Sequence, residues 1–282
     1  MRIAQGLLVA ALLMMDPTAL WSQVPNLAVQ TSSFNQRWLG IVVSIEEAVP
    51  PAGFRPRGTG FLVRTANSHV VLVTAKHVAL APLPAGARLA YRLTTTAGGT
   101  VVVWDDELRE RLGPWFPSPT GDVACRFIGW PQGESVALTP DNYLADNALT
   151  AGAPVLVLGF PLGLRSEDQP RPIARHGIIA RVDRDNVIAD AFVFPGNSGG
   201  PVIYSPSLKV GRGLTSSLLN EEKLIGIVSS FVPYRETAIS QQTNRARIVF
   251  EENSGLSNVV PVAKLVDLLN SEPVRALDGS IR

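Results

Sequence analysis

The chain has 282 residues, of which 46% are hydrophobic and 17% are charged, and its formal net charge is +1. A chain of this length can bury the core of one large domain or of two small ones. The balanced charge, without a long basic or acidic run, argues against nucleic acid or an anionic membrane surface as a main partner. The single cysteine, Cys125, excludes an internal disulfide, and the three histidines lack metal-ligand spacing. We therefore expect neither a metal nor a cofactor.

Residues 1–22 have the pattern of a signal peptide. Arg2 gives a positive start, residues 7–15 are apolar, and the small Ser22 can serve as the cleavage position. The apolar run is too short to span a membrane, and an uncleaved anchor is the alternative. Export without disulfides is typical of bacteria, so we expect the periplasm or the exterior, with no stable membrane insertion after cleavage.

Short apolar segments follow a polar spacer over residues 23–36. The 22 prolines and 24 glycines that punctuate the chain favour many turns over long helices. A pair of glycines at 98–99 predicts a hairpin, and the charged segment 105–111 indicates a surface loop or a short helical turn. The strands predicted for the first half are 39–45, 59–64, 70–74, 89–95, 100–104 and 123–127.

The second half repeats this style after an irregular stretch, residues 131–151, which predicts a linker. Its polar segments 205–223 and 233–253 are long for hairpin connections, so we expect surface loops there. Four apolar residues at helical spacing predict one amphipathic helix over residues 261–270. The strands predicted for this half are 154–159, 175–182, 187–194, 202–204 and 224–230. These elements indicate an all-β chain built as two successive barrels.

The segment 194–201 places Ser198 among glycines, in a turn between two apolar segments. Glycine tolerates unusual backbone conformations and lets other atoms approach closely. Such a turn can expose a serine hydroxyl and direct successive N–H groups into one space, as a serine nucleophile requires. The alternative is a glycine-rich loop with an incidental serine.

His77 follows the apolar segment 70–74, so rigid structure would hold its imidazole at the edge of a cleft. Imidazole can take a proton from a serine and return it to a leaving group. The alternative is a structural histidine that binds a backbone carbonyl. His69, in a polar turn, and His176, on a predicted strand, keep that structural interpretation.

Asp122 stands at the start of the apolar strand 123–127. A carboxylate against a buried segment needs a partner, and a histidine N–H would supply one. The alternative is a turn aspartate that caps the strand. Asp105 and Asp106 compete for the role of partner but lie in a charged segment, which suits them less.

The segments around His77, Asp122 and Ser198, taken in chain order, resemble those of the trypsin-like serine proteases. The resemblance is strongest to the bacterial Deg or high-temperature-requirement type without its PDZ module. The resemblance covers about residues 37–270, with histidine, aspartate and serine in the family's order. It rests on these segments: GTGFLV at 58–63, TAKH at 74–77, DVA at 122–124, GFPLG at 159–163, PGNSGGP at 195–201, LIGIVS at 224–229 and VVP at 259–261.

The resemblance implies an all-β fold of two six-stranded antiparallel β-barrels followed by a C-terminal helix. The implied boundaries are about 37–135 for the first barrel, about 150–260 for the second, 261–270 for the helix and 271–282 for a tail.

The implied function is that of an exported serine endopeptidase. Ser198 would be the nucleophile, His77 its base and Asp122 the acid that orients the base. The N–H groups of Gly196 and Ser198 would form the oxyanion hole. Asn197 replaces the aspartate that pairs with a newly cut N-terminus in digestive relatives, so we expect activity that does not depend on such a cut.

The resemblance also implies a specificity pocket, with Phe192 at its base and Ser229, Ser230 and Phe231 along its wall. An apolar base favours small or medium apolar side chains at the cleaved position. The expected partner is a protein or peptide substrate, and a homo-oligomer is an open alternative.

Two other functions stay open. One is a binding or scaffold protein that keeps the protease fold with little turnover, and the other is a peptidase dedicated to a single substrate such as its own precursor. The loops 164–172 and 205–223 flank the active site in the family and could gate it. Cys125 fits a buried apolar role better than that of a second nucleophile.

Overall fold

A computed structural model gives the architecture of the chain. It describes residues 37–51, 53–129, 136–144, 146–165, 171–206, 210–211, 213–214 and 221–281. The predicted signal peptide and spacer lie outside these residues, as do parts of the predicted linker and of the loops 164–172 and 205–223. Within the described ranges, no helix is both long and apolar enough to cross a membrane.

The first half of the chain folds into an antiparallel sheet of seven strands. These are β1 (Val42–Val49), β2 (Gly53–Arg64), β3 (Val70–Thr74), β4 (Arg88–Thr94), β5 (Thr100–Trp104), β6 (Phe116–Pro117) and β7 (Ala124–Phe127). Their order in space is β5-β4-β1-β2-β3-β7-β6. Val43, Ile45, Leu62, Leu72 and Tyr91 are fully or almost fully buried and form the core of this half. Valine and isoleucine suit this pleated, buried surface because their branched side chains pack well against neighbouring strands.

The second half forms a closed six-stranded barrel. Its strands are β8 (Pro154–Gly159), β9 (Ile173–Val182), β10 (Val187–Asp190), β11 (Pro201–Tyr204), β14 (Lys223–Ile239) and β15 (Ala246–Pro261). A separate short pair, β12 (Val210–Gly211) and β13 (Gly213–Leu214), lies between β11 and β14 in the chain. The barrel closes in the order β10-β15-β14-β11-β8-β9, around a core that includes Val157, Ile179 and Val202. The predicted all-β architecture is therefore confirmed, with a seven-stranded sheet in place of six strands in the first half.

The helices of the described residues are short. They are α1 (Arg37–Gly40), α2 (Lys76–Leu80), α3 (Asp105–Leu112), α4 (Val262–Leu269) and α5 (Glu272–Ser280), with 3₁₀ turns at Pro140–Asn142, Asp146–Ala148 and Pro161–Gly163. The predicted terminal helix is present as α4, which buries Val262, Leu265 and Leu268. A second helix, α5, follows in the segment that sequence analysis treated as a tail.

The prediction of a surface loop over residues 233–253 is wrong. β14 and β15 continue through this segment as a paired ribbon, from Pro233 opposite Asn253 to Ile239 opposite Ala246. The residues of the ribbon are mostly exposed to solvent, so the alternation of apolar and polar residues that marks a half-buried strand is missing. The predicted strand 187–194 is also shorter than expected and ends at Asp190.

Candidate active site

His77 lies just beyond the end of strand β3. β3 is buried along its whole length between β2 and β7, and α2 begins immediately beyond it at Lys76. The guanidinium of Arg57 holds this helix, since its Nε donates to the carbonyl of Val78 at 2.7 Å and a second nitrogen donates to the carbonyl of Ala81. The His77 side chain is 52% exposed, so its backbone is fixed while its imidazole stays accessible.

Asp122 connects His77 to Ser229. One carboxylate oxygen accepts the backbone N–H of His77 at 3.0 Å, and the other lies 2.8 Å from His77 Nδ1. The second oxygen also accepts a hydrogen bond from Ser229 Oγ at 2.6 Å. Burial of Asp122 opposes its ionisation, but the hydrogen bonds from His77 and Ser229 outweigh burial and lower the pKa of Asp122 to about 2. An ionised carboxylate can only accept, so Nδ1 carries a hydrogen and Nε2 of the neutral imidazole is the acceptor.

Two glycines permit the turn around Ser198. Gly196 and Gly199 have φ angles of +101° and +85°, a region that other residues rarely enter. A Cβ on Gly196 would lie 2.3 Å from the carbonyl oxygen of Phe160, and a Cβ on Gly199 would lie 2.0 Å from Thr74 Oγ1. Space and backbone conformation therefore both require glycine at these positions.

Hydrogen bonds from outside the turn fix its peptide planes. The N–H of Leu162 donates to the carbonyl of Pro195 at 2.7 Å, and Thr59 Oγ1 donates to the carbonyl of Gly196 at 2.6 Å. The C=O and N–H of a trans peptide point in opposite directions, so the N–H of Gly196 points away from Leu162. In the described part of the chain, neither this N–H nor that of Ser198 has an acceptor.

Asn197 stabilises the turn by hydrogen bonds to residues of the turn itself. Its side chain is fully buried, and its Oδ1 accepts the N–H of Phe194 at 3.0 Å. Its own carbonyl accepts the N–H of Gly200 at 2.9 Å. These contacts hold the turn without a charged group at position 197.

The hydroxyl of Ser198 lies at the junction of these groups. It donates to the carbonyl of Ser229 at 3.1 Å, and Ser229 in turn binds Asp122 through its own hydroxyl. Ser198 and His77 line the same open cavity, which has a volume of about 440 Å³. The structure thus brings together the predicted nucleophile, base, acid and N–H donors, although the serine hydroxyl is bonded to Ser229 and not to His77.

The cavity has a largely apolar wall. The predicted wall residues Ser229, Ser230 and Phe231 line it, and its other lining residues are Arg57, His77, Val193, Phe194, Pro195, Gly196 and Ser198.

Phe192, predicted at the base of the pocket, is not among the residues that line this cavity. After β10 ends at Asp190, Ala191 and Val193 are buried, whereas Phe192 between them is 53% exposed. The ring of Phe192 stacks on that of Phe194, with centroids 6.4 Å apart.

The other candidate side chains have different surroundings. His69 Nδ1 lies 2.8 Å from Asp278 Oδ1, and His176 is exposed on β9. Cys125 is buried in β7, and burial raises the pKa of its thiol to about 12, so it stays protonated and unreactive. Within the described residues, no group of three histidine, cysteine or acidic side chains could hold a metal ion.

The two competing aspartates are engaged elsewhere. Asp105 accepts hydrogen bonds from Tyr91 and Arg126, and Asp106 pairs with Arg88. Asp105 is thus part of a partly buried polar cluster at the start of α3, which its charged sequence surroundings did not indicate.

The family follows from a comparison with known protein domains. A model of the trypsin-like peptidase domain matches residues 58–209 of the chain. The chain belongs to the trypsin-like peptidase family. The matched residues include His77, Asp122 and Ser198.

Two solved structures are similar to the chain. Deg5 is 18% identical in sequence, with a TM-score of 0.51 over 82% of this chain and 88% of that chain. The HtrA-type protease AlgW, solved with a tripeptide, is 18% identical, with a TM-score of 0.49 over 82% of this chain. The present chain spans 60% of the AlgW chain. No curated protein matches the sequence significantly.

Sequence analysis of this trypsin-like peptidase did not single out two residues that shape the site. The side chain of Arg57 is buried, lines the cavity and holds the helix that carries His77. Thr59 Oγ1 donates to the carbonyl of Gly196 and accepts the N–H of Phe160 at 3.0 Å. The sequence offered only the position of Thr59 between Gly58 and Gly60 as an indication of its role. Its hydrogen-bond partners lie more than 100 residues away in the chain and could not be predicted.

Proposed function

We propose that the chain is an endopeptidase that cleaves peptide bonds through an acyl-enzyme, with Ser198 as nucleophile, His77 as base and Asp122 as orienting acid. The observation that carries this proposal is that His77, which is paired with Asp122, lines the same cavity as the Ser198 turn. An ionised Asp122 keeps the hydrogen on Nδ1 of His77, so Nε2 can accept a proton.

The reaction begins with a rotation of the Ser198 hydroxyl from the carbonyl of Ser229 toward Nε2 of His77. Oγ gives its proton to Nε2 and bonds to the substrate carbonyl carbon, which places the negative charge on the carbonyl oxygen. His77 then returns the proton to the departing amine as the C–N bond breaks. A water molecule repeats the sequence on the acyl-enzyme, releases the carboxylic acid and restores the Ser198 hydroxyl.

The oxyanion hole is formed by the N–H groups of Gly196 and Ser198. Both N–H groups are free of acceptors in the described residues, and the carbonyl of Pro195 is held toward Leu162, on the opposite side of the peptide. This orientation supports a hole that exists before substrate binds, so its donors need no rearrangement during the reaction. Loss of one such donor typically costs about 3 kcal/mol of transition-state stabilisation.

The side chain before the cleaved bond is small or medium-sized and apolar. Val193, Phe194 and Phe231 supply an apolar surface, and none of the described lining residues is acidic. A lysine or arginine of the substrate would therefore lose its hydration without gaining a carboxylate partner.

The substrates are proteins or peptides met outside the cytoplasm. This part of the proposal rests on residues 1–22, which have the pattern of a signal peptide. Assembly into a homo-oligomer is compatible with it.

The decisive experiment compares the purified protein with its Ser198→Ala variant. Unfolded casein should be cleaved by the wild type, and the rate should fall by about 10⁶-fold in the variant. A fluorophosphonate probe should label the wild type alone, and a peptide library should give products that end in small or medium apolar residues. Ser280→Ala, a serine on α5, is the control and should keep full activity. Equal casein cleavage by Ser198→Ala and the wild type would refute the proposed nucleophile.

A further inference from the structure

A second cavity, the α2–α3 cavity, is lined by residues of both helices α2 and α3. Its volume is about 330 Å³, at the lower end of the range of small-molecule sites, which is about 300–1,000 Å³. Neither His77 nor Ser198 lines it, whereas Arg57 lines both this cavity and the catalytic one. The α2–α3 cavity is therefore a separate space that shares one wall residue with the candidate active site.

Arg126 brings to this cavity a buried N–H that has no acceptor. Its side chain is only 1% exposed and lines the cavity. One terminal nitrogen donates to the carboxylate of Asp105 and to the hydroxyl of Tyr91, and the other donates to the carbonyl of Gly113 at 3.3 Å. Nε has no hydrogen-bond partner among the described residues. A buried N–H without an acceptor is costly, so a bound molecule that supplies an acceptor there would be stabilising.

Arg109 gives the same cavity a positive charge that is not neutralised. The guanidinium of Arg57 pairs with Glu47, and that of Arg126 pairs with Asp105, the acidic side chain among the described lining residues. Arg109 lies exposed in the last turn of α3 and forms no ion pair with a described residue. The balance of charge in the lining therefore favours an anion.

Much of the remaining lining is apolar. Leu80 and Leu83 are 50% and 40% exposed, and Leu89, Pro114 and Trp115 also line the cavity. A molecule that covers these side chains removes apolar surface from water, which favours its binding. An inorganic anion such as phosphate would meet the charge but leave the leucines exposed. The lining thus calls for an anionic group attached to an apolar body.

We infer that the α2–α3 cavity binds a small molecule that consists of an apolar body and one carboxylate. The carboxylate would accept hydrogen bonds from Arg109 and from Nε of Arg126, and charge-assisted bonds of this kind are stronger than neutral ones. The apolar body would cover Leu80, Leu83 and Trp115. The inference adds a second binding site to the chain and does not depend on the proposed peptidase function.

The position of the cavity connects this site with the support of His77. Helix α2 carries Leu80 at the cavity and His77 at the candidate active site. The side chain of Arg57, which holds this helix through the carbonyl of Val78, lies between the two cavities and lines both. A ligand in the α2–α3 cavity would thus contact the base of the helix without occupying the cavity of Ser198.

The test measures the binding of phenylpropionate to the full chain by isothermal titration calorimetry. The wild type should bind one equivalent with a millimolar or lower Kd. Arg109→Gln removes the unneutralised charge and should weaken binding about tenfold or more. Leu83→Ser removes apolar contact and should also weaken it. Arg111→Gln is the matched control and should bind as the wild type does, because Arg111 is exposed on α3 but does not line the cavity.

Two further ligands separate the charge from the apolar body. Acetate has the carboxylate without the body, and phenylpropionamide has the body without the charge. Both should bind at least about tenfold more weakly than phenylpropionate. Arg109 and Leu83 are exposed, so the variants should fold, and circular dichroism checks that they do.

Four results would overturn the inference. The first is that phenylpropionate does not bind to the wild type. The second is that acetate binds as tightly, which would show an adventitious ion only, or that the amide does, which would show that the arginines play no part. The third is unchanged binding by Arg109→Gln, which would place the ligand elsewhere, for example in the catalytic cavity. The fourth is an equal loss in Arg111→Gln, which would reveal a general effect of net charge.

Discussion

Asp122 is the residue at which burial and hydrogen bonding act against each other. Burial alone would raise its pKa, whereas the contacts with His77 and Ser229 lower it to about 2. The native state therefore favours the ionised form relative to the unfolded chain, in which aspartate titrates at about pH 3.9. The stabilisation from this shift is fully present above the unfolded pKa and is lost as pH falls through the native value.

We predict that Asp122→Asn removes this pH-dependent stability. The difference in unfolding free energy between wild type and variant, measured by urea denaturation, should be constant above about pH 5 and shrink between about pH 4 and pH 2. The variant should also lose about 10⁴-fold in kcat, because an amide can direct its NH₂ group at Nδ1 and place the hydrogen on Nε2. Asp190→Asn, on the exposed surface of β10, serves as control. A difference at pH 2 as large as that at pH 6 would contradict the role assigned to the ionised carboxylate.

Helix α5 is an element whose attachment depends on one buried carboxylate. Asp278 is almost fully buried, and its carboxylate accepts hydrogen bonds from Thr65 Oγ1 and from the N–H of Asn67 and contacts His69 Nδ1. Val274 of the same helix is fully buried. The helix is thereby fastened to the turn between β2 and β3, and this contact supplies the partner of His69.

We predict that Asp278→Ala destabilises the native state by about 2–3 kcal/mol. The substitution leaves the hydroxyl of Thr65 and the ring of His69 without their buried acceptor, and unpaired buried groups are costly. Urea denaturation measures the loss, while hydrogen exchange should show faster exchange in α5. Arg275→Ala, on the exposed side of α5, should change stability little. If the unfolding free energy of Asp278→Ala matched that of Arg275→Ala, the attachment would have to lie elsewhere.

At the scale of the whole molecule, the active site depends on contacts between the first sheet and the barrel. The N–H of Thr59 donates to the carbonyl of Ser198 at 2.9 Å, and its hydroxyl links Gly196 and Phe160. On the sheet side, the hydroxyl of Thr74 donates to the carbonyl of Thr59 at 2.6 Å. Strand β2 thus positions both sides of the site. Its Arg57 holds the helix that carries His77, and its Thr59 holds the turn that carries Ser198.

We predict that Thr59→Val lowers kcat/KM by about 10-fold to 100-fold while leaving the fold intact. Valine has a similar shape but removes the hydroxyl, so the carbonyl of Gly196 loses a donor and the N–H of Phe160 loses an acceptor. The proposed oxyanion donor at Gly196 would then be less well oriented. Thr59→Ser retains the hydroxyl and should restore most of the activity. Wild-type kcat/KM in Thr59→Val, with circular dichroism unchanged, would show that this link does not position the turn.

The motifs around His77, Asp122 and Ser198 were recognisable from the sequence because each lies in a short local pattern. A strand followed by histidine, an acid before a buried strand and a serine among glycines are set by neighbouring residues. The same holds for α4, whose apolar residues recur at helical spacing. The β14–β15 ribbon was missed because strands exposed to solvent on both faces lose the period-two pattern from which strands are predicted.

By itself, the sequence determined the all-β class, the family and the chemical types of the candidate site residues. These properties depend on composition, on local periodicity and on motifs of a few residues. The tertiary structure alone decided that Phe192 is exposed, that Asp278 pairs with His69, and that Arg57 and Thr59 fix the two sides of the site. Each of these depends on which side chains face the core, or on a contact between residues far apart in the chain. Hydrogen bonds of that kind leave no periodic trace in the sequence, because they join single atoms that only the folded chain brings within 3 Å.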